Sequence, residues 1–167
     1  MKRFILIIIT LLALHSSRAQ TKVFEKYAKE QRVETVRVSG SMLQLVAKMN
    51  GNAMNVNGVD LRSVVSKLTG VRTLTTRNPG LVRQIRSATL DAYRSGGYEE
   101  LMQTQGEYGT MYIYTLRLKD GESEFSMLTI VDDDFLTLTD ITGRLSAADL
   151  LRLTESGKGG KGAPGRK

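Results

Sequence analysis

Alternating apolar and polar positions are clearest in residues 110–141, where three apolar runs are separated by two acidic breaks. The first break, residues 119–122, contains Asp120–Gly121. This dipeptide between alternating runs is typical of a two-residue hairpin, because a type I′ turn needs positive φ at both central residues. The pattern therefore predicts a meander of three antiparallel strands, with a second turn at residues 132–134.

A two-residue turn at Asp120–Gly121 would fix the register of the first hairpin. One face would then be apolar and the other would carry opposite charges, as a half-buried antiparallel sheet requires. The predicted cross-strand pairs are Leu116 with Phe125, Tyr114 with Met127, and Arg117 with Glu124.

The first half of the chain shows helical spacing interrupted by short period-two segments. Helices are predicted over 21–31, 42–49, 61–68 and 79–95, and strands over 33–38 and 71–76. Asp60 and Asn78 are placed as N-caps, with Pro79 at the first helical position. Residues 98–105 predict one further strand. A last helix over 145–154 would begin with Ser146 as N-cap and Asp149 as its capping-box partner.

These elements predict an α+β fold with a single, mostly antiparallel sheet of five or six strands. Two β-α units, at 33–49 and 71–95, come before the meander. We expect the helices to pack on one face of the sheet, with the other face partly open to water.

The N-terminal residues are typical of a secretory signal peptide. Lys2 and Arg3 precede an apolar run of eleven residues, 4–14, and small residues follow up to Ala19. Eleven residues fall short of the roughly 20 that span a bilayer. We predict a signal peptide at 1–19, one domain at 20–155 and a disordered Gly/Lys-rich tail at 156–167. The mature protein would be periplasmic or secreted, with no transmembrane anchor.

The amino-acid composition excludes several kinds of metal and catalytic site. The sequence has no cysteine, and its one histidine, His15, lies inside the predicted signal. Zinc sites built on Cys and His, and nucleophile pairs that use them, are thereby excluded from the mature domain. We expect no cofactor and no metal site.

The net charge of +7 comes from the two ends of the chain. The predicted signal carries three positive charges and the tail four, so residues 19–155 are neutral. That distribution argues against a nucleic-acid partner. Residues 20–94 balance at +8 and residues 95–155 at −8. This polarity fits solvated faces of opposite charge, or a basic patch for anionic lipid or polysaccharide.

Carboxylates supply the first candidate sites. Asp132, Asp133 and Asp134, with Asp140 nearby, could form a turn, a weak cation site or a catalytic pair. Turn chemistry is favoured, because Asp residues cluster in turns for conformational reasons. Glu99 and Glu100 stand beside Tyr98 but point to opposite faces of a strand, so they cannot act as a pair.

Two further segments have a functional and a structural interpretation. Ser39–Gly40–Ser41 could bind an anion at a helix N-terminus, but it lacks the lysine and glycine spacing of a phosphate loop, so helix capping is favoured. The aromatic-rich strand could line a groove or simply pack in the core, and packing is the default. Its members are Tyr108, Met111, Tyr112 and Tyr114.

Several segments taken together resemble a family of small exported bacterial proteins, domain of unknown function 4252. They are the signal, VFEKYAKE, TVRVSGSML, DLRSVVSKLTGVRTLTT, SGGYEELM and the acidic-turned meander, from about Val23 to Leu153. The resemblance implies an envelope location and one compact domain, and it provides no catalytic residues.

We therefore expect a non-enzymatic binding module of the envelope, in signalling or stress response, whose partner is an envelope protein or an anionic surface. A carboxylate-dependent hydrolase of envelope or extracellular substrates is the first alternative. An adaptor for anionic lipid or polysaccharide is the second.

Overall fold

A six-stranded antiparallel sheet forms the centre of the protein, for which a computed structural model describes residues 19–48, 55–56, 59–107, 109–146 and 148–149. The strands are β1 (Val33–Ser39), β2 (Asn55–Val56), β3 (Val59–Asp60), β4 (Leu68–Thr76), β5 (Glu99–Gly106), β6 (Gly109–Arg117), β7 (Ser123–Val131) and β8 (Phe135–Gly143). The helices are α1 (Ala19–Tyr27), α2 (Gly40–Lys48), α3 (Arg62–Val65) and α4 (Pro79–Ser95). Among the described residues, no helix has the length and apolar character that a membrane span needs.

The strand order in the large sheet is β1-β4-β8-β7-β6-β5, and every neighbouring pair is antiparallel. β2 and β3 pair with each other as a separate two-stranded antiparallel sheet. The predicted α+β fold, with one sheet of six strands, is confirmed. The two strands of the β-α units, β1 and β4, are direct antiparallel neighbours.

The first hairpin of the meander has the predicted turn but a different register. Asp120 and Gly121 have φ of 62° and 75°, as a type I′ turn requires. Next to the turn, Leu118 N donates to Glu122 O at 2.8 Å and Glu122 N donates to Lys119 O at 3.3 Å. Two residues therefore lie opposite Glu122, which is a β-bulge.

This bulge shifts the pairing by one residue, so the predicted register is wrong. The observed pairs include Leu116 with Glu124 and Tyr114 with Ser126. A one-residue slip sends every side chain of the partner strand to the other face. Phe125 therefore lies on the face opposite to the one predicted, and Glu124 lies on the helix side.

The core lies between the sheet and the helices α1 and α4. α4 has its predicted bounds, and Asn78 Oδ1 accepts a hydrogen bond from Leu81 N at 3.0 Å. Its buried residues Val82 and Ile85 pack with apolar side chains of the central strands. The fully buried core side chains include Phe24, Leu74, Val82, Ile85, Leu128, Leu136 and Leu138.

Two predicted helices are shorter than expected. Helix α1 ends at Tyr27. The helix predicted over 61–68 is a single turn, α3, since Asp60 belongs to β3 and Leu68 already pairs with Gly143 of β8. Strand pairing with β8 therefore overrides the local helical periodicity.

The capping box predicted at Ser146 is present. Ser146 N donates to Asp149 Oδ2 at 2.8 Å, and Asp149 N donates to Ser146 Oγ at 3.3 Å. The rest of that helix, the predicted signal up to residue 18, most of the 50–58 loop and the 156–167 tail lie outside the described residues.

Candidate functional site

The helix-covered face of the sheet carries a line of polar side chains that crosses all six strands. In strand order its members are Arg37, Arg72, Asp140, Ser126, Tyr114 and Glu100, each directly opposite the next. We call this line the polar row. It separates the apolar layer of Leu74, Leu138 and Leu128 from the end of the sheet.

Buried charges occupy the centre of the polar row. Arg72 Nε donates to Asp140 Oδ2 at 2.8 Å, and its guanidinium also lies 3.8 Å from the carboxylate of Glu124. Asp140 and Glu124 are 1% and 0% exposed. Ser126 Oγ donates to the other oxygen of Asp140. Burial raises the pKa of Asp140 to about 6, although the positive charge of Arg72 acts in the opposite direction.

Two tyrosines complete this network from the helix side. Tyr93 of α4 shares a 2.9 Å hydrogen bond with Ser126 Oγ, and Tyr98 donates to Glu124 Oε1 at 2.6 Å. Burial raises the pKa of both phenols, and the negative charge of Glu124 adds to this at Tyr98. Both side chains therefore stay protonated and act as hydrogen-bond donors at neutral pH.

The ends of the polar row are closer to solvent. Tyr114 donates to Glu100 at 2.6 Å, and this hydrogen bond is the main cause that raises the pKa of Tyr114 to about 12. At the other end, Arg37 pairs with exposed Glu25 at 2.9 Å.

The buried charges at the centre of the polar row, and Glu124 beside it, are paired within the protein. Asp140 and Glu124 each have a cation and a hydroxyl donor within reach, and both are closed off from solvent. Two surface concavities lie elsewhere: one beside Arg83 and Arg94 on α4, and one of about 650 Å³ beside Arg32 and Asn78. No residue of the polar row lines either concavity. A substrate in one of the two concavities would therefore not reach the buried carboxylates.

The acidic turn does not join this network. Asp132 and Asp133 have φ of 48° and 55°, and Asp134 N donates to Val131 O at 3.2 Å, as the turn interpretation predicts. Asp133 Oδ1 lies 3.5 Å from Nη1 of Arg86, which is on α4. Asp140 points into the core several residues away. In the part of the chain that the structure describes, no group of three or more His, Cys, Asp or Glu could hold a metal ion.

The other candidate residues named from the sequence have structural roles. Glu99 and Glu100 point to opposite faces, opposite Thr115 and Tyr114 respectively. Ser39 Oγ accepts from Met42 N at 3.3 Å, which is a cap. Tyr112 and Tyr114 face the helices, as the packing interpretation predicts, and Tyr108 lies outside the described residues.

The second face of the sheet has a very different composition. Three adjacent rows of this face give twelve positions on the four inner strands, and all twelve are Thr, Val, Ile, Met or Phe. Charged residues of the same face lie around them, at Arg117 of β6, Glu34 of β1 and Glu99 of β5. We call this surface, with its neighbours on β1 and β5, the open face. Threonine hydroxyls bridge β4 and β8, at 3.2 Å between Thr73 and Thr139 and at 3.4 Å between Thr75 and Thr137.

The middle row of the open face ends in exposed apolar side chains. In strand order it is Val36, Thr73, Thr139, Met127, Ile113 and Met102. Val36 is 59% exposed and Met102 is 36% exposed. The other large exposed apolar residues that the structure describes are Met42, Leu45 and Leu101. All five lie on the two edge strands or on α2.

The polar row was not predicted from the sequence, although three of its members, Asp140, Tyr114 and Glu100, were separate candidates there. A signal for it exists: Arg72, Glu124 and Asp140 occupy core-side positions in otherwise apolar strands. The register error hid this signal at Glu124, because it placed that residue on the opposite face.

Comparison with known proteins finds one family and one distant structure. The family described as Domain of unknown function (DUF4252) matches residues 27–153. The structure is a crystal structure from Pseudomonas aeruginosa, of a protein of unknown function proposed to be a regulator. The two chains align over 82% of this chain and 87% of the other, with 8% sequence identity and a TM-score of 0.38. A similarity with that TM-score supports no conclusion about the function of this chain. No curated protein matches the chain.

Proposed function

The chain belongs to the family described as Domain of unknown function (DUF4252), and we propose that it is an exported module of the cell envelope that binds another protein through the open face. The proposal rests on the middle row of that face. It is uncharged along its whole length, and it begins and ends with the exposed apolar side chains Val36 and Met102. The largest exposed apolar patch of a protein is often a functional surface.

The size of the open face suits a reversible contact. Six strands and three rows of side chains make a surface of about 500 Å² at ordinary sheet spacings. That is within the range of the largest apolar patch on a typical monomer. It is below the roughly 800 Å² that each partner buries in a standard complex.

The chemistry of the face selects the kind of partner. An anionic lipid or polysaccharide would require a cluster of basic side chains, and the four inner strands present a single one on this face, Arg117 at one end. Cations on α4, such as Arg83, Arg86 and Arg94, lie on the opposite side of the sheet from the open face. A folded protein with a flat, uncharged surface is therefore the occupant we propose.

Export is part of the proposal and rests on the signal features of residues 1–19. An envelope location also makes signalling or stress response the pathway class that we favour. Carboxylate-dependent hydrolysis receives less support: Asp132 to Asp134 form a turn, and Asp140 and Glu124 are buried in mutual contacts.

Site-specific photocrosslinking in intact cells tests the binding function. A photoreactive amino acid at Thr139, at the centre of the open face, should give one dominant crosslinked protein. The same amino acid at Ser87, exposed on α4, is the matched control and should not give that product. Val36→Arg should abolish the Thr139 crosslink without a change in melting temperature, because Val36 is exposed on an edge strand.

Three results would contradict the proposal. Equal crosslinking from Thr139 and Ser87 would remove the open face as the site. A product containing only lipid or a second copy of this chain would remove the proposed occupant. An unaltered Thr139 crosslink in the folded Val36→Arg protein would show that the middle row does not bind.

A further inference from the structure

Gln20, in the first turn of α1, is a buried polar side chain without a partner. It is 0% exposed, and neither Nε2 nor Oε1 of its amide makes a hydrogen bond. An unsatisfied buried amide costs free energy, and native proteins keep few of them. This residue therefore needs a physical explanation.

The explanation begins with the end of the mature chain and rests on the proposed export. Cleavage after Ala19 would make Gln20 the first residue, with a free α-amino group. Such amines have a pKa of about 7.7–8.0, so a large share is charged at neutral pH. The positive charge would stand at the N-terminus of α1, where the helix dipole disfavours cations.

The neighbours of Gln20 disfavour that charge further. The next residue, Thr21, accepts a hydrogen bond from the Arg72 guanidinium at 3.1 Å. That guanidinium is itself paired with Asp140 and Glu124, so both carboxylates are already engaged. Gln20 itself is buried, and burial of an unpaired charge is strongly unfavourable. Thr21, the residue that follows Gln20 in the mature chain, carries no carboxylate to offset it.

We propose that Gln20 is a modification site and that the mature chain begins with pyroglutamate. The α-amino nitrogen of Gln20 attacks the side-chain carbonyl carbon Cδ, and a C–N bond forms. The bond between Cδ and Nε2 breaks, and the nitrogen leaves as ammonia with the proton released by the amine. No oxidant or reductant is required. The product is a neutral five-membered lactam.

The lactam fits the position better than the open residue. Its ring includes the backbone nitrogen, as the proline ring does, and such rings are tolerated in the first turn of a helix. The reaction removes the terminal positive charge at the N-terminus of α1. It also removes the unpaired NH₂ group of the buried side chain.

Mass spectrometry of the mature protein tests the proposal. The full chain is expressed with its leader, and cells are denatured in acid at once so that cyclisation during purification does not contribute. The intact mass and the N-terminal peptide are then measured. We expect a chain that begins at residue 20 and is lighter by one ammonia than the free-amine form.

The outcomes separate the modification from export. A chain that begins at residue 20 with a free amine would overturn the modification and leave export standing. A chain that retains the leader, or begins elsewhere, would overturn both.

Gln20→Asn is the matched control, because its side chain is one methylene too short to form this ring. It should begin at residue 20 with a free amine and melt at a lower temperature than the cyclised protein. Equal melting temperatures would overturn the electrostatic reason given for the modification. Ammonia loss in Gln20→Asn as well would show that the mass change does not report this ring.

Discussion

At the scale of single residues, the two arginines of the polar row show how burial changes the value of an ion pair. The guanidinium groups of Arg37 and Arg72 lie 4.8 and 5.0 Å from the centre of the Phe24 ring. Arg37 pairs with a carboxylate that is about half exposed, whereas Arg72 pairs with buried Asp140 and Glu124. The same side chain in the same row should therefore have two different roles.

Replacement of each arginine by alanine tests this difference. Arg72→Ala leaves two buried carboxylates without their cation, so we expect the free energy of unfolding to fall by about 3–5 kcal/mol. Arg37→Ala breaks an exposed pair and should cost less than about 1 kcal/mol. Urea unfolding at neutral pH measures both. Equal losses would mean that the cation–π contacts with Phe24, and not the buried pair, dominate.

At the scale of elements, the turns decide which side chains share a face. The bulge beside Asp120–Gly121 shifts β7 by one residue against β6. The turn between β5 and β6 has a different constraint: Gly109 has a φ of 127°, and a Cβ there would lie 2.0 Å from Ile130 O on β7. Only glycine fits so close to the backbone of β7.

Gly109→Ala should therefore destabilise the protein by at least about 2 kcal/mol, since it combines a strained φ with a clash against backbone. Gly106→Ala, at the other end of the same turn, is the control. A Cβ at Gly106 meets nothing within 4 Å, and an exposed substitution of this kind usually stays within about 0.5 kcal/mol. Thermal unfolding of both variants gives the comparison. Similar melting temperatures would contradict the close approach at Ile130.

At the scale of the whole molecule, the buried network joins the centre of the sheet to α4 and links stability to pH. Asp140 has its pKa raised from 3.8 to about 6 by burial. Its protonated form is thus favoured in the folded state. The stability that Asp140 contributes is fully present below pH 3.8 and is lost as the pH rises through 6. Asp149 behaves in the opposite way: Lys67 lowers its pKa to about 2, so its contribution is lost only in stronger acid.

Asp140→Asn should flatten the pH dependence of unfolding between about pH 4 and pH 6. Relative to this variant, the natural protein should gain on the order of 2 kcal/mol in its free energy of unfolding on going from pH 7 to pH 4. Urea unfolding of both proteins across that range measures the gain. Parallel stability curves for the two proteins would refute the contribution of Asp140.

Much of the fold follows from local sequence. The alternation of the meander predicted three strands, and the caps Asn78 and Ser146 marked helix starts that the structure contains. The turn at Asp120–Gly121 was also predictable, because positive φ at two successive positions strongly selects these residues. These features depend on residues near each other in the chain, so they can be read from the sequence alone.

The register and the polar row were decided only by tertiary structure. A single bulge residue beside the turn changed the face of Phe125 and Glu124, and nothing in the local pattern distinguishes the two registers. The match of Arg72 to Asp140 joins strands separated by 68 positions in the chain. A buried charge is stable only when such distant partners meet, so the site exists only once the strands have assembled.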